Sequence, residues 1–394
     1  MIRDSFPSRQ GFRSWGALAA IFYSGIASST LLTLKPLIVG ALIDDYRFSA
    51  AQAGFVAGIE MAGIGLASLV VGAAATAWRR RRVIAWGAAL AVTGSLVPWV
   101  PHAYGLVLCL RLVAGFGSGL IAASVFASLG AARDPDRIFG IYLVSAYAIA
   151  GSLFPLASTV IARHGASGAY LLLAAIICAV IPISRGIPDA AVQRESAAGP
   201  APALPKLKAA CSLAVSLVFW LGNGAVWAFV ERLGLNSRMT SLEVAGVLSA
   251  SQIAFMGGAV LASMVHTRFG RTLPTFGAMA VTMAGTSLIG WGGSALAFCA
   301  GVLLFCFAWP LFLAYLNGTM ATQDPAGRIV ALSIASQTVG MAIGPAIAGV
   351  LAHRLGYSAV SGMALASYLL AILLLLPLAA VGRVPRTAIT AHAL

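Results

Sequence analysis

Twelve apolar runs dominate this chain of 394 residues and leave little choice about its fold. They fall at 15–43, 50–76, 83–101, 105–131, 138–163 and 169–185, then at 209–231, 243–266, 273–291, 295–320, 329–353 and 357–381. Most approach or exceed the roughly 20 residues that a helix needs to cross bilayer hydrocarbon. Lipid offers a backbone no hydrogen bonds, so each run must satisfy its own N–H and C=O groups as a helix, and none shows the alternation of a membrane barrel strand. The expected fold is an all-α integral membrane protein of twelve transmembrane helices in two pseudo-symmetric six-helix bundles. Only 9% of the residues are charged, against about a quarter in a soluble domain.

The net charge of +14 would suggest nucleic acid in a soluble protein, but here the basic residues sit in short clusters between apolar runs. With the N-terminus in the cytoplasm, that side receives 18 of the 25 Lys and Arg residues, including Arg3, Arg9, Arg13, Arg79 to Arg82, Arg268 and Arg271. The opposite side receives 5: Arg47, Arg163, Arg232, Arg238 and Arg354. Lys35 and Arg111 fall inside spans. The positive-inside rule then expects both termini in the cytoplasm of a bacterial inner-membrane, multi-pass protein, with no nucleic-acid partner. The first run is about twice the length of a signal-peptide core, so it reads as a span. The five cysteines all lie in spans and read as small packing residues.

An internal repeat organises the chain. Asp134-Pro135 recurs as Asp324-Pro325 at an offset of 190, which also aligns Pro155 with Pro345 and Arg81 with Arg271. Taken singly, each Asp-Pro is an N-cap followed by a first-turn proline. The stretch 187–207 holds four prolines and charged residues and reads as a cytoplasmic linker. It divides a bundle at 1–186 from one at 208–394.

Two six-helix halves with a basic loop after span two resemble the major facilitator superfamily over essentially the whole chain. That loop reads Gly72-Ala-Ala-Ala-Thr76-Ala-Trp-Arg79-Arg80-Arg81, keeping the family's glycine and arginines with Thr76 in place of its aspartate. Its counterpart, Thr267-Arg268-Phe269-Gly270-Arg271, keeps the Arg-x-Gly-Arg core. The resemblance implies a gating role for Gly72, Arg80, Arg81, Gly270 and Arg271. In span four, Arg111-x-x-x-Gly115-x-Gly117-x-Gly119 resembles a family motif linked to proton coupling, although such glycines also serve close helix packing in any membrane bundle. In span eleven, Gly340-x-x-x-Gly344-Pro345-x-x-x-Gly349 resembles an antiporter motif that the family carries in span five.

Charges inside spans are the strongest functional signal, since each costs about 2.5–3.5 kcal/mol on insertion scales unless paired or wetted. Lys35, Glu60 and Arg111 all fall on the same side of their span midpoints, and the offset of 190 gives Ala225, Ala250 and Gly301 in the second half. Membrane charge is therefore expected in the first half alone. Glu60 is the candidate proton carrier with Arg111 beside it, and Lys35 with Arg111 leaves one positive charge in excess, suited to an anionic solute. The alternative is a permanent Arg111–Glu60 pair with Lys35 reaching outward.

In the family, spans one, four, seven and ten line a central cavity, which by resemblance assigns Tyr23, Asn223, Trp227, Trp309 and Tyr315 to the solute; helix packing is the alternative for each. Met279 and Met283 share a helical face, as a copper(I) site would want, but they also suit plain packing, and neither a metal nor a cofactor is expected. No lysine follows a glycine as a phosphate-binding loop requires, so ATP hydrolysis by that route is not expected. The expected function is non-enzymatic: proton-coupled secondary transport of a small anionic solute by alternating access, with the bilayer and protons as partners. The alternatives are an exporter with a broad aromatic-lined cavity and a non-transporting scaffold or receptor.

Overall fold

The computed structural model describes residues 15–73, 79–99, 103–132, 134–187, 206–265, 268–324 and 328–381. Thr76, most of the expected linker, Arg3, Arg9, Arg13, Arg133, Arg194, Pro325, Arg383 and Arg386 lie outside the described residues. The first half comprises α1 (Trp15–Thr33), α2 (Lys35–Asp44), α3 (Ala50–Ala73), α4 (Arg80–Gly94), α5 (Tyr104–Gly130), α6 (Pro135–Cys178) and the single turn α7 (Val180–Ile183). The second half comprises α8 (Lys206–Asn236), α9 (Ser241–Val265), α10 (Thr272–Trp291), α11 (Ala295–Gln323), α12 (Arg328–Leu355) and α13 (Ser358–Val381). Among the described residues, ten segments are long and apolar enough to cross a membrane. One of them, Arg137–Gly186, at 50 residues holds two crossings, and α4, at 15 residues, completes the twelve.

Two expected boundaries differ, each for a local reason. The first run is not one helix: it breaks at Leu34, where Pro36 has no N–H to continue the ladder, and α2 restarts with Lys35. The fifth and sixth runs lack the expected loop. They meet at Gly165, whose φ of 62° and ψ of −160° suit only glycine, and the Asp45 carboxylate accepts the N–H of Ala166 at 2.5 Å to start the next helix.

The halves pack through α3 against α12 and through α6 against α9, with α2 against α8. Glycines make these approaches possible. A methyl group on Gly349 of α12 would lie 2.5 Å from the Ala50 carbonyl oxygen and 3.1 Å from the Ala51 Cα of α3. Inside the second half, α10 and α11 touch backbone to backbone, and a methyl on Gly301 would lie 2.7 Å from the Gly285 oxygen. The bundle end that carries Asp44, Asn236 and Ser241 is called the Asp44 end below.

Candidate functional site

Span one brings Lys35 to the start of α2, span two brings Glu60, and span four brings Arg111, and the three side chains meet. Arg111 donates from Nε to Glu60 Oε2 at 2.9 Å and again from Nη2 to the same oxygen. Its Nη1 donates to the Gly94 carbonyl at 3.2 Å, and its guanidinium lies 5.0 Å from the centre of the Tyr170 ring. Arg111 is fully buried, so it is held on every side. Gly115, one turn along α5, has no side chain because the Glu60 backbone occupies that space.

Lys35 lies farther from the carboxylate than Arg111 does. Its Nζ donates to the Ala57 carbonyl at 3.1 Å and lies 3.5 Å from Glu60 Oε1. It is 3% exposed, so it does not reach outward. An ammonium has three protons to donate, and two acceptors face it here. The cluster therefore pairs one carboxylate with two cations inside the first half, with one positive charge in excess.

The expectation that buried charge is confined to the first half is corrected by a second cluster at the Asp44 end. Arg232 of α8 donates to Asp44 Oδ1 of α2 at 2.9 Å and also engages Oδ2. Its Nε lies 2.9 Å from Glu231 Oε2. Ser241 donates to the other oxygen of Glu231 at 3.4 Å. Glu231 and Arg232 are 3% and 8% exposed, whereas the Asp44 side chain is 57% exposed. The sequence reading ended the seventh run at Glu231 and placed Arg232 in solvent. In the structure α8 continues to Asn236, and an adjacent Glu-Arg pair carries no local mark that separates a buried helix end from a solvated one.

The remaining expected residues are dispersed. Tyr23 donates to the Ile176 carbonyl at 2.8 Å, joining spans one and six of one half. Asn223 is fully buried and accepts from the Tyr368 hydroxyl at 2.8 Å. Tyr315 donates to the Ala262 carbonyl at 3.5 Å. These three are engaged in helix packing. Trp227 and Trp309 instead join an aromatic cluster that spans both halves. Their rings lie 6.0 Å apart, and Phe255 lies 5.3 Å from Trp309. Tyr147 of α6 stacks on Phe255 at 5.5 Å, with 5° between the planes, and Phe154 meets Trp227 edge-on at 6.4 Å.

Among the loop residues, Gly72 lies in the last turn of α3 and Arg80 and Arg81 open α4. Gly270 adopts φ +71° in the turn before α10, and Arg271 precedes that helix with its side chain close over Gly318 of α11. Met279 is buried and Met283 partly so, both within the apolar core.

Among the described residues, three residue pairs hydrogen-bond between the halves. Trp227 Nε1 donates to the Leu32 carbonyl at 2.9 Å, Arg232 binds Asp44, and Ser249 donates to the Gly151 carbonyl at 2.6 Å. All lie towards the Asp44 end, so the halves are closed on each other there.

Comparison with known proteins gives matches over nearly the whole length. A family model described as Major Facilitator Superfamily matches residues 17–327. An uncharacterised MFS-type transporter of Bacillus subtilis (strain 168), YceJ, is 22% identical over 390 residues, covering 95% of this chain and 98% of its own. Among solved structures, a peptide transporter POT superposes with a TM-score of 0.75 at 13% identity, covering 95% of this chain and 98% of that one. A second, from work on substrate recognition in proton dependent oligopeptide transporters, gives 0.71 at 13% identity, covering 92% and 98%. At those identities the likeness is one of fold.

Proposed function

This chain belongs to the Major Facilitator Superfamily, and we propose that within it the chain is a proton-coupled transporter of a small organic solute bearing a carboxylate or similar anionic group. The observation that carries the reading is the Lys35–Glu60–Arg111 cluster, two cations around one carboxylate at membrane depth. An uncompensated charge there is unfavourable, and an anionic group docked on Lys35 would neutralise it. Arg111, fully buried and in direct contact with Glu60, holds the carboxylate in place, and Lys35, 3.5 Å from it, is the cation placed to take up an anion.

Coupling follows from the charge count. A proton on Glu60 removes the partner of Lys35 and leaves two uncompensated cations, which strengthens the hold on an anion. By reciprocity, a bound anion strengthens the hold on the proton. Proton and solute therefore load together, and a proton moving down the membrane potential contributes about 2.3 kcal/mol per 100 mV. Alternating access moves the first bundle, 1–186, against the second, 208–394, across the seam of α3, α12, α6 and α9. The distribution of basic residues supports both termini in the cytoplasm of a bacterial inner membrane, with the Asp44 end facing outward.

The test is uptake of a panel of labelled short carboxylates into proteoliposomes under an imposed pH gradient. Gradient-driven uptake is expected for the native protein, insensitivity to the gradient for Glu60→Gln, and loss of uptake for Lys35→Ala. Uptake that ignores the gradient in the native protein would overturn the coupling. Normal carboxylate uptake by both Lys35→Ala and Arg111→Ala would overturn the anion site.

A further inference from the structure

Pro36 leaves one backbone acceptor of the first span without its ordinary donor. In an uninterrupted helix, the N–H of residue 36 would bond to the carbonyl of Leu32. Flanking residues keep that pattern: Leu34 N–H donates to the Thr30 oxygen at 2.9 Å, and Ile38 N–H to the Leu34 oxygen at 3.1 Å. The Leu32 carbonyl takes its hydrogen bond from elsewhere, from the indole N–H of Trp227 at 2.9 Å. Trp227 belongs to α8 of the opposite half, so this contact exists only while the halves are closed at the Asp44 end.

Three further facts bear on what happens when they part. A carbonyl without a donor is strongly unfavourable away from water, so the Leu32 oxygen must find another partner. Lys35 lies three residues further along, about 5 Å along the span by backbone rise, with its ammonium turned to Ala57 and Glu60 of α3. The Trp227 ring also has somewhere to remain, against Trp309 at 6.0 Å and Phe255 at 6.3 Å.

We propose that the Leu32 carbonyl is an element of the solute site: the Trp227 indole occupies it in the closed arrangement, and an N–H group of the solute takes its place when the halves open. The solute class is thereby narrowed to carboxylates that also carry an ammonium or amide N–H, 2-amino carboxylates being the shortest. This rests on the assignment of Lys35 to the anion. Binding and closure then compete for one acceptor, so Trp227 displaces the solute's N–H as the seam shuts and hands the solute inward.

The test uses thermal-shift affinities of the purified full chain for pairs of 2-amino carboxylates and their des-amino counterparts, with alanine and propanoate as the smallest pair. The native protein is expected to bind the amino member about tenfold more tightly, the worth of one charge-assisted hydrogen bond. Pro36→Ala restores the helix's own N–H to Leu32 and should erase that preference while leaving the des-amino member unchanged. Trp227→Phe, which keeps the ring and removes the N–H, should strengthen binding of the amino member several-fold, whereas a purely structural tryptophan would weaken both members on substitution. Equal binding of both members, no binding by any pair, or a preference that survives Pro36→Ala in folded protein overturns the inference. Lys35→Ala separates the two claims: if it leaves both members bound, the anion assignment fails whatever Pro36→Ala shows.

Discussion

Gly349→Ala tests the closed seam with a single methyl group. The added carbon would lie 2.5 Å from the Ala50 oxygen, 3.1 Å from the Ala51 Cα and 3.2 Å from the Ala50 carbonyl carbon. Ordinary contact begins near 3.4 Å, so α3 and α12 would have to separate by about 0.9 Å. All three obstructing atoms are backbone, and no side chain can swing aside. Overpacking of this kind costs about 1–3 kcal/mol, borne by the arrangement in which the halves are closed. At about 1.4 kcal/mol per tenfold, the equilibrium shifts toward the form open at the Asp44 end by about 5- to 150-fold. The assay is the rate at which an impermeant maleimide labels Ser237→Cys, a 9% exposed position at the Asp44 end just past the close of α8, in a variant lacking the five native cysteines. Gly246→Ala, where an added methyl meets nothing within 4 Å, is the control. A labelling rate for Gly349→Ala within twofold of the control refutes the reasoning.

Three further outcomes are expected. The single variants Asp44→Arg and Arg232→Asp should each raise maleimide labelling at position 237, and the double exchange should bring it back; a double variant no better than the worse single removes Asp44–Arg232 from the seam's closure. Arg111→Met should lower stability by about 3–5 kcal/mol, as breaking a buried ion pair does, read as a fall in melting temperature. Arg111→Lys should fall short of native too, because an ammonium cannot reach Glu60 and Gly94 with a fork's geometry. Gly165→Ala should cost about 1–3 kcal/mol from its backbone conformation alone, and a melting temperature equal to native would refute the account of that junction.

Hydropathy made the twelve crossings legible because each apolar run must end where it meets water, and the three charges of the first cluster stood out for the same reason. The break at Leu34 was also written in the sequence, in Pro36, but a run read by composition alone does not register a missing N–H. Gly165 gave no signal, since a glycine between two runs reads as loop until its partner Asp45, 120 residues earlier, is brought beside it. Glu231 and Arg232 were hidden by their position at a helix end, where burial is decided by α2 packing across from the other half. Trp227 was picked out as an aromatic lining a cavity; the backbone carbonyl it serves has no sequence signature at all.

The contact between Gly285 and Gly301 bears on how this transporter can change. Gly301 is the counterpart of Arg111 under the repeat, and Gly285 of Ser95, the neighbour of the Gly94 carbonyl that Arg111 holds. In the first half the Arg111 side chain leaves α5 toward Glu60 of α3 and the Gly94 carbonyl, whereas a side chain at 301 would run into α10, where an added methyl already lies 2.7 Å from the Gly285 oxygen and 2.9 Å from the Ile289 nitrogen. A mutation placing arginine at position 301 would have to prise α10 from α11 before it could place a charge. Single substitutions can therefore retune the charged cluster where it stands, but none copies it directly into the second half.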